Sequence, residues 1–100
     1  MKNYEISNAN YALGQLMDEP LKGKFKFRVF SVKSELEKKM EVITKALEDV
    51  EDVSEREEIL QEEQEVSINK FTEDELEQID LSLRQIAMLE PIIEFEKENE

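Results

Sequence analysis

The chain has 100 residues, with 13 Lys and Arg against 26 Asp and Glu, no His and no Cys, for a formal net charge of −13. That length predicts one domain with a modest core. The missing residue types exclude disulfides, thiolate and imidazole catalysis and the usual zinc sites, and no apolar run approaches the roughly 20 residues of a membrane span.

The charge is uneven. Residues 1–47 hold nine Lys and Arg against six Asp and Glu, a balance of +3, while residues 48–100 hold four against twenty, a balance of −16. Such a surplus of acid disfavours nucleic acid, which is gripped through its phosphates, and favours a basic partner. The plain reading is that most of these carboxylates are the wet faces of helices. Gly14 and Gly23 stand too far apart for a phosphate-cradling loop, and no G-x-S-x-G or S-x-x-K motif surrounds any serine. The N-terminus is polar and lacks a signal-peptide core, so a cytoplasmic protein is expected.

Along the chain, the first segment alternates at Tyr4 and Ile6 and reads as a short strand over 1–6. Ser7, Asn8 and Asn10 suit a helix start, and Tyr11, Ala12, Leu13, Leu16 and Met17 then give a helix of about two turns that ends at Asp18-Glu19-Pro20. Strand and short helix together occupy 1–20.

The strongest signal is the run 21–50. Leu21, Phe25, Val29, Val32, Leu36, Met40, Ile43, Leu47 and Val50 are spaced 4, 4, 3, 4, 4, 3, 4 and 3. The mean, about 3.6, is the α-helical repeat, so one apolar seam runs along a helix roughly 45 Å long, onto which every shorter piece docks. Lys22, Lys24, Lys26 and Arg28 alternate with Gly23, Phe25, Phe27 and Val29, a strand-like rival, but the helical seam passes through Phe25 and Val29 without a phase slip. Phe27, Phe30, Val42 and Ala46 lie off the seam and predict a second apolar contact.

The turn at 51–54 leads into a second helix over 55–66, introduced by the capping box Ser54/Glu57 and packed on the first as an antiparallel hairpin. Beyond it, 66–95 holds short strands and a helix. Val66 and Ile68 predict a strand over 65–69, and Ile79 and Leu81 another over 78–81. Thr72/Glu75 and Ser82/Gln85 are further capping boxes. They start a helical turn at 73–77 and a short helix with Leu83, Ile86, Ala87 and Leu89, which Pro91 ends. Ile92, Ile93 and Phe95 close the core, and 96–100 is expected to fray. The predicted fold is thus mainly α with a minor β part. A long central helix forms an antiparallel hairpin, with short N- and C-terminal helices and a small sheet of two or three strands.

No residue stands out as catalytic, metal-ligating or cofactor-binding. Pairs such as Asp49/Asp52 and Glu73/Glu77 sit at helical neighbour spacing, but no acidic run carries the mid-loop glycine of a calcium loop. The candidates for contact are Phe27 and Phe30 with Lys22, Lys24, Lys26 and Arg28, and the acids Glu55, Glu58 and Glu62. Four cations interleaved with aromatics permit nucleic-acid contact. On a helix, however, they spread around the circumference, which favours pairing with the chain's own acidic half or with an acidic partner. Met17, Met40 and Met88 read as core filler.

Three stretches together resemble a family of small proteins encoded by tailed phages and prophages of Gram-positive bacteria. They are the run Pro20-Leu21-Lys22-Gly23-Lys24-Phe25-Lys26-Phe27 opening a helix with Ser34-Glu35-Leu36-Glu37, the segment Glu65-Val66-Ser67-Ile68, and the tail Ile79-Asp80-Leu81-Ser82 to Leu89-Glu90-Pro91-Ile92-Ile93-Glu94. The family's Gly- and Asp-rich connector is not matched, because 49–55 has no Gly. The resemblance implies a setting, the cytoplasm of an infected or lysogenic bacterium, and supplies no activity or site residues. Two functions of different class follow as expectations. One is a non-enzymatic accessory or assembly protein that binds a phage or host protein or its own copies. The other is an acidic mimic of nucleic acid that blocks a basic DNA-binding or defence protein, for which the twenty acids of 48–100 are the motive.

Overall fold

The computed structural model describes residues 1–96 and is mainly helical. Its elements are α1 (Asn3–Gly14), α2 (Gly23–Leu47), α3 (Val53–Gln61), β1 (Phe71–Thr72), α4 (Glu73–Leu76), α5 (Leu83–Leu89), a 3₁₀ turn (Glu90–Ile92) and β2 (Ile93–Glu94). The expected fraying at the C-terminus falls, beyond Glu96, outside the described residues; Glu96 itself donates its backbone N–H to the Glu73 carboxylate.

The long helix forms as its periodicity requires. Phe25, Val29, Val32, Leu36 and Ile43 are buried, with Leu21, Met40 and Leu47 half-buried in the same line. Gly23 begins α2 at φ +62, where an L side chain is strained, so this glycine starts the helix instead of weakening it. Gly23→Ala should cost about 1–2 kcal/mol, read as a lower urea midpoint, although no atom lies within 4 Å of where the Cβ would stand. At the other end Asp49 turns the chain at φ 63, and Arg56 Nη1 donates to Val50 O at 2.8 Å and Leu47 O at 3.3 Å. A cation thus meets the free carbonyls that close α2.

The N-terminal segment is where the structure departs most from the periodicity. Residues 3–14 are one helix, not a strand followed by a cap at Ser7, Asn8 or Asn10. The buried positions Asn3, Ile6, Ala9, Leu13 and Leu16 are spaced at helical intervals. An asparagine and an alanine in that stripe hide it from a count of large apolar residues. Helix α1 runs antiparallel to α2: Asn10 Oδ1 accepts from Lys33 Nζ at 2.8 Å, and Gly14 lies beside the Lys33 stem. Ala9 and Ala12 let the two axes approach closely.

Helix α3 also packs on α2, at its C-terminal end, but stops at Gln61, five residues before the expected 66. Its cap is Asp52, whose carboxylate accepts from Ser54 N at 3.1 Å; the Ser54/Glu57 box does not form. The chain then runs extended from 62 to 70 back along α2. Gln64 Nε2 donates to Lys39 O at 3.3 Å, Glu35 accepts from Ser67 N at 3.3 Å, and Arg28 donates to Asn69 O and Lys70 O at 3.2 and 3.0 Å. An extended chain rises about twice as far per residue as a helix, so the six steps 64–70 span the eleven steps 39–28. Val66 and Ile68 face inward as their alternation implies. Yet 65–69 is not a strand, because its neighbour is a helix whose side chains supply the hydrogen bonds. The 78–81 segment is likewise a turn.

Asn3 joins the two ends of this wrap. It is 4% exposed, its Nδ2 donates to Ile59 O at 2.7 Å, and its Oδ1 accepts from Gln64 Nε2 at 2.8 Å. Lys2 and Glu63 form an antiparallel bridge beside it. Asn3→Leu removes a partner from the partly buried Ile59 carbonyl and Gln64 amide at once. It should lower stability by about 2–3 kcal/mol in urea titration, and Asn3→Asp by a similar amount, because the acceptor Ile59 O then faces a carboxylate.

The sheet is two strands, β1 and β2, paired in parallel with Phe71 opposite Ile93 and Thr72 opposite Glu94. The connection carries α4 and α5. Thr72/Glu75 and Ser82/Gln85 both cap as predicted. Pro91 turns the end of α5 into the 3₁₀ turn, which buries Ile92. Phe95 is 46% exposed and does not close the core, which Ile92 and Ile93 do. The molecule is 24 Å across its shortest axis, about two helix diameters. One layer therefore covers one side of α2, and the described residues leave the other to solvent.

Candidate functional site

That bare side of α2 carries Phe27 and Phe30, 67% and 65% exposed. At 100° per residue they project opposite the seam of Phe25, Val29 and Leu36. The second apolar contact predicted for this helix is therefore not made by Phe27 and Phe30 among the described residues. Val42 is also exposed, but about 20 Å further along the axis.

The cations divide. Lys22, Lys24 and Lys26 are exposed around the start of α2, and Lys26 Nζ lies 5.3 Å from the Phe27 ring centroid. Arg28 turns inward. Its Nε and Nη2 donate to the two carboxylate oxygens of Glu75 at 2.8 and 2.9 Å, the same guanidinium donates to Asn69 O and Lys70 O, and it stacks 5.1 Å from the Phe71 centroid. The Arg28 hydrogen bonds, with that from Thr72 N, outweigh partial burial and hold the Glu75 carboxyl at about 2. The basic stretch thus supplies one intramolecular pair with the acidic half and three cations around the aromatic ridge.

Met17 belongs with this ridge rather than with the core. It is 57% exposed and, with Leu16, Leu21, Lys26, Val29 and Phe30, lines a groove where the α1–α2 connection meets α2. A second groove, lined by Ser31, Ser34, Ser67 and Ile68 among others, runs on the other side of Phe30. The Phe30 ring stands between them.

Glu55 and Glu58 are exposed one turn apart on α3, which has no fully buried residue, and Glu62 is exposed just past its end, where the backbone is extended. Glu58 and Glu62 border a shallow depression with Tyr4 and Leu60. These acids lie beside the C-terminal half of α2, roughly 20–30 Å along the axis from Phe27. The candidates are therefore two surfaces and not one. Among the described residues no three acids converge as a metal site requires.

One feature was not assembled from the sequence. Leu76, Ile79, Leu81 and Ile86 are half-buried around a groove that Ile93 and Phe95 complete, with Glu73, Glu77 and Asp80 at its rim. Reading 78–81 as a strand put Ile79 and Leu81 on one sheet face and left Leu76 and Ile86 on separate helical elements. The turn instead brings them together.

The fold and these surfaces define a small, mainly helical protein with a bare aromatic ridge. No helix of the described residues is long and apolar enough to cross a membrane. No protein-family model, curated protein or solved structure matches the chain.

Proposed function

We propose that the chain is a non-enzymatic interaction protein whose working surface is the ridge of Phe27 and Phe30 with its collar of Lys22, Lys24 and Lys26. The observation that carries this reading is the exposure of two large rings, one helical turn apart, directly opposite a fully occupied seam. Single exposed apolar residues are ordinary; adjacent aromatics with Met17 alongside are the composition of an interface anchor. Burying each ring stabilises a complex by about 1.5–3 kcal/mol before the costs of association, enough for the pair to dominate a small interface. The cations select a partner with an acidic margin around an apolar recess. The phage setting, and with it a role as accessory or assembly factor in the bacterial cytoplasm, rests on the sequence resemblance alone.

The test is crosslinking from phage-infected cells with the native chain and with the double variant Phe27→Ala/Phe30→Ala. The variant should melt within a few degrees of the parent, since neither ring is in the core, and should lose the crosslinked protein. Equal recovery of the same proteins by both chains would sink the reading.

A further inference from the structure

We propose that the occupant matched to this ridge is a second copy of the chain, which receives it in the groove between α4, α5 and β2. The inference rests on the interaction reading above and names the partner of the same surface.

The groove has the complementary chemistry. Its floor is Leu76, Ile79, Leu81 and Ile86, half-buried, with Ile93 beneath; it is an open groove of about 360 Å³. A closed cavity of about 150 Å³ accepts one benzene ring, so phenyl groups are not too large for this groove. Phe27 and Phe30 are neighbours on one helix face and can enter together. The rim is acidic. Glu73 is engaged by Glu96 N, but Glu77 and Asp80 are exposed and form no ion pair among the described residues. They stand where Lys24 and Lys26, flanking the rings, arrive. An apolar floor with carboxylates at its edge selects an apolar side chain beside a cation.

Two other occupants from the same chain fit less well. Residues 97–100 read Lys-Glu-Asn-Glu and contain nothing apolar to fill the floor. The chain's own ridge does not occupy it, because both rings are two-thirds exposed. Ridge and groove share no residue. One copy therefore offers both at once, and the contact is heterologous: it builds a reciprocal pair, a ring or a chain of copies.

Sedimentation at low salt, from roughly 1 µM to 1 mM protein, tests this. The native chain should gain mass with concentration and lose it as salt is raised. Phe27→Ala/Phe30→Ala destroys the ridge and leaves the groove; Glu77→Lys/Asp80→Lys reverses the rim and leaves the ridge. Each should be monomeric at concentrations at least tenfold above those that assemble the native chain, with an unchanged circular dichroism melt. If the Lys substitutions perturb the fold, Glu77→Gln/Asp80→Asn serves in their place. Mixing the two variants should restore one contact per pair and yield a dimer of one copy each, nothing larger. A native chain monomeric throughout, or a mixture that stays monomeric, overturns the proposal. Should the native chain be monomeric while the ridge variant still loses its cellular crosslink, the interaction reading survives and the second copy is not the partner.

Discussion

Phe71→Ala should lower the unfolding free energy by about 3–5 kcal/mol, a third or more of what a domain of this size commonly has. The ring is wholly buried, lies edge-to-face on Phe25 with centroids 5.9 Å apart and planes at 66°, and has the Arg28 guanidinium over its face. It is also the residue that registers β1 on β2, opposite Ile93. Two strands of two residues cannot hold themselves together, so their pairing depends on this anchor. Deleting the ring opens a cavity under α2 and loosens the α4–α5 end together. Tm should fall by roughly 20 °C. Phe71→Leu keeps most of the volume and loses the ring contacts, for a cost of about 1 kcal/mol. Urea titration of both variants separates cavity from aromatic geometry; equal losses would show that the ring contacts, not the volume, hold this end.

What was legible in the sequence was what repeats. The seam from Leu21 to Val50 has enough large apolar residues at one spacing to identify the long helix and its buried face, and the structure buries that face from Leu21 to Leu47, although the helix itself is Gly23–Leu47 and Val50 lies beyond it. The Thr72/Glu75 and Ser82/Gln85 boxes were legible because a hydroxyl and a side-chain acceptor three residues apart carry their hydrogen bonds locally. Helix α1 was not, since its inner stripe uses an alanine and Asn3, and the burial of Asn3 depends on a partner more than fifty residues away. The 65–69 segment separates conformation from pairing. Alternation reports that a backbone is extended and half-buried; it does not report whether the next element is a strand or a helix. Here Arg28 and Glu35 of α2 take the bonds that a neighbouring strand would have taken.

The candidate surface was legible in part, by the same logic. Phe27 and Phe30 fall off the seam by simple helical geometry, so their exposure follows once α2 is known to have only one packed side. Which cations remain available did not follow. Lys26 and Arg28 look alike in the sequence, but Arg28 lies next to the buried seam and can reach Glu75 and the 69–70 carbonyls, whereas Lys26 cannot. The groove at Leu76, Ile79 and Leu81 was illegible because a turn, unlike a helix or strand, has no period to count.

Arg28→Ala should cost about 2–4 kcal/mol at neutral pH, and more than the exposure of the pair alone would suggest. The substitution leaves a carboxylate at Glu75 and two carbonyls, Asn69 O and Lys70 O, without the guanidinium that all three share. Lysine cannot replace it, since a single ammonium does not present a planar fork, and Arg28→Lys should recover less than half the loss. The pH dependence gives the sharper test. Glu75 is held at about 2 in the folded chain, against 4.5 ordinarily. Its folded value lies below the unfolded one, so the pair's contribution is complete above about pH 4.5 and is lost as pH falls toward 2. The two side chains are 30% and 24% accessible, and solvent screening reduces that contribution to about 1–2 kcal/mol. Raw acid titration will not isolate it. Protonating the many other carboxylates of a chain at −13 relieves self-repulsion and acts in the opposite direction. A double-mutant cycle of Arg28→Ala and Glu75→Gln cancels that background, because it is common to all four proteins. The coupling should be about 1–2 kcal/mol at pH 7, shrink below pH 4.5 and disappear only as pH falls through about 2. A coupling already near zero at pH 7 would mean that Arg28 is held by the carbonyls and the Phe71 ring alone, and one that persists unchanged into acid would mean that ionisation of Glu75 contributes nothing to the pair.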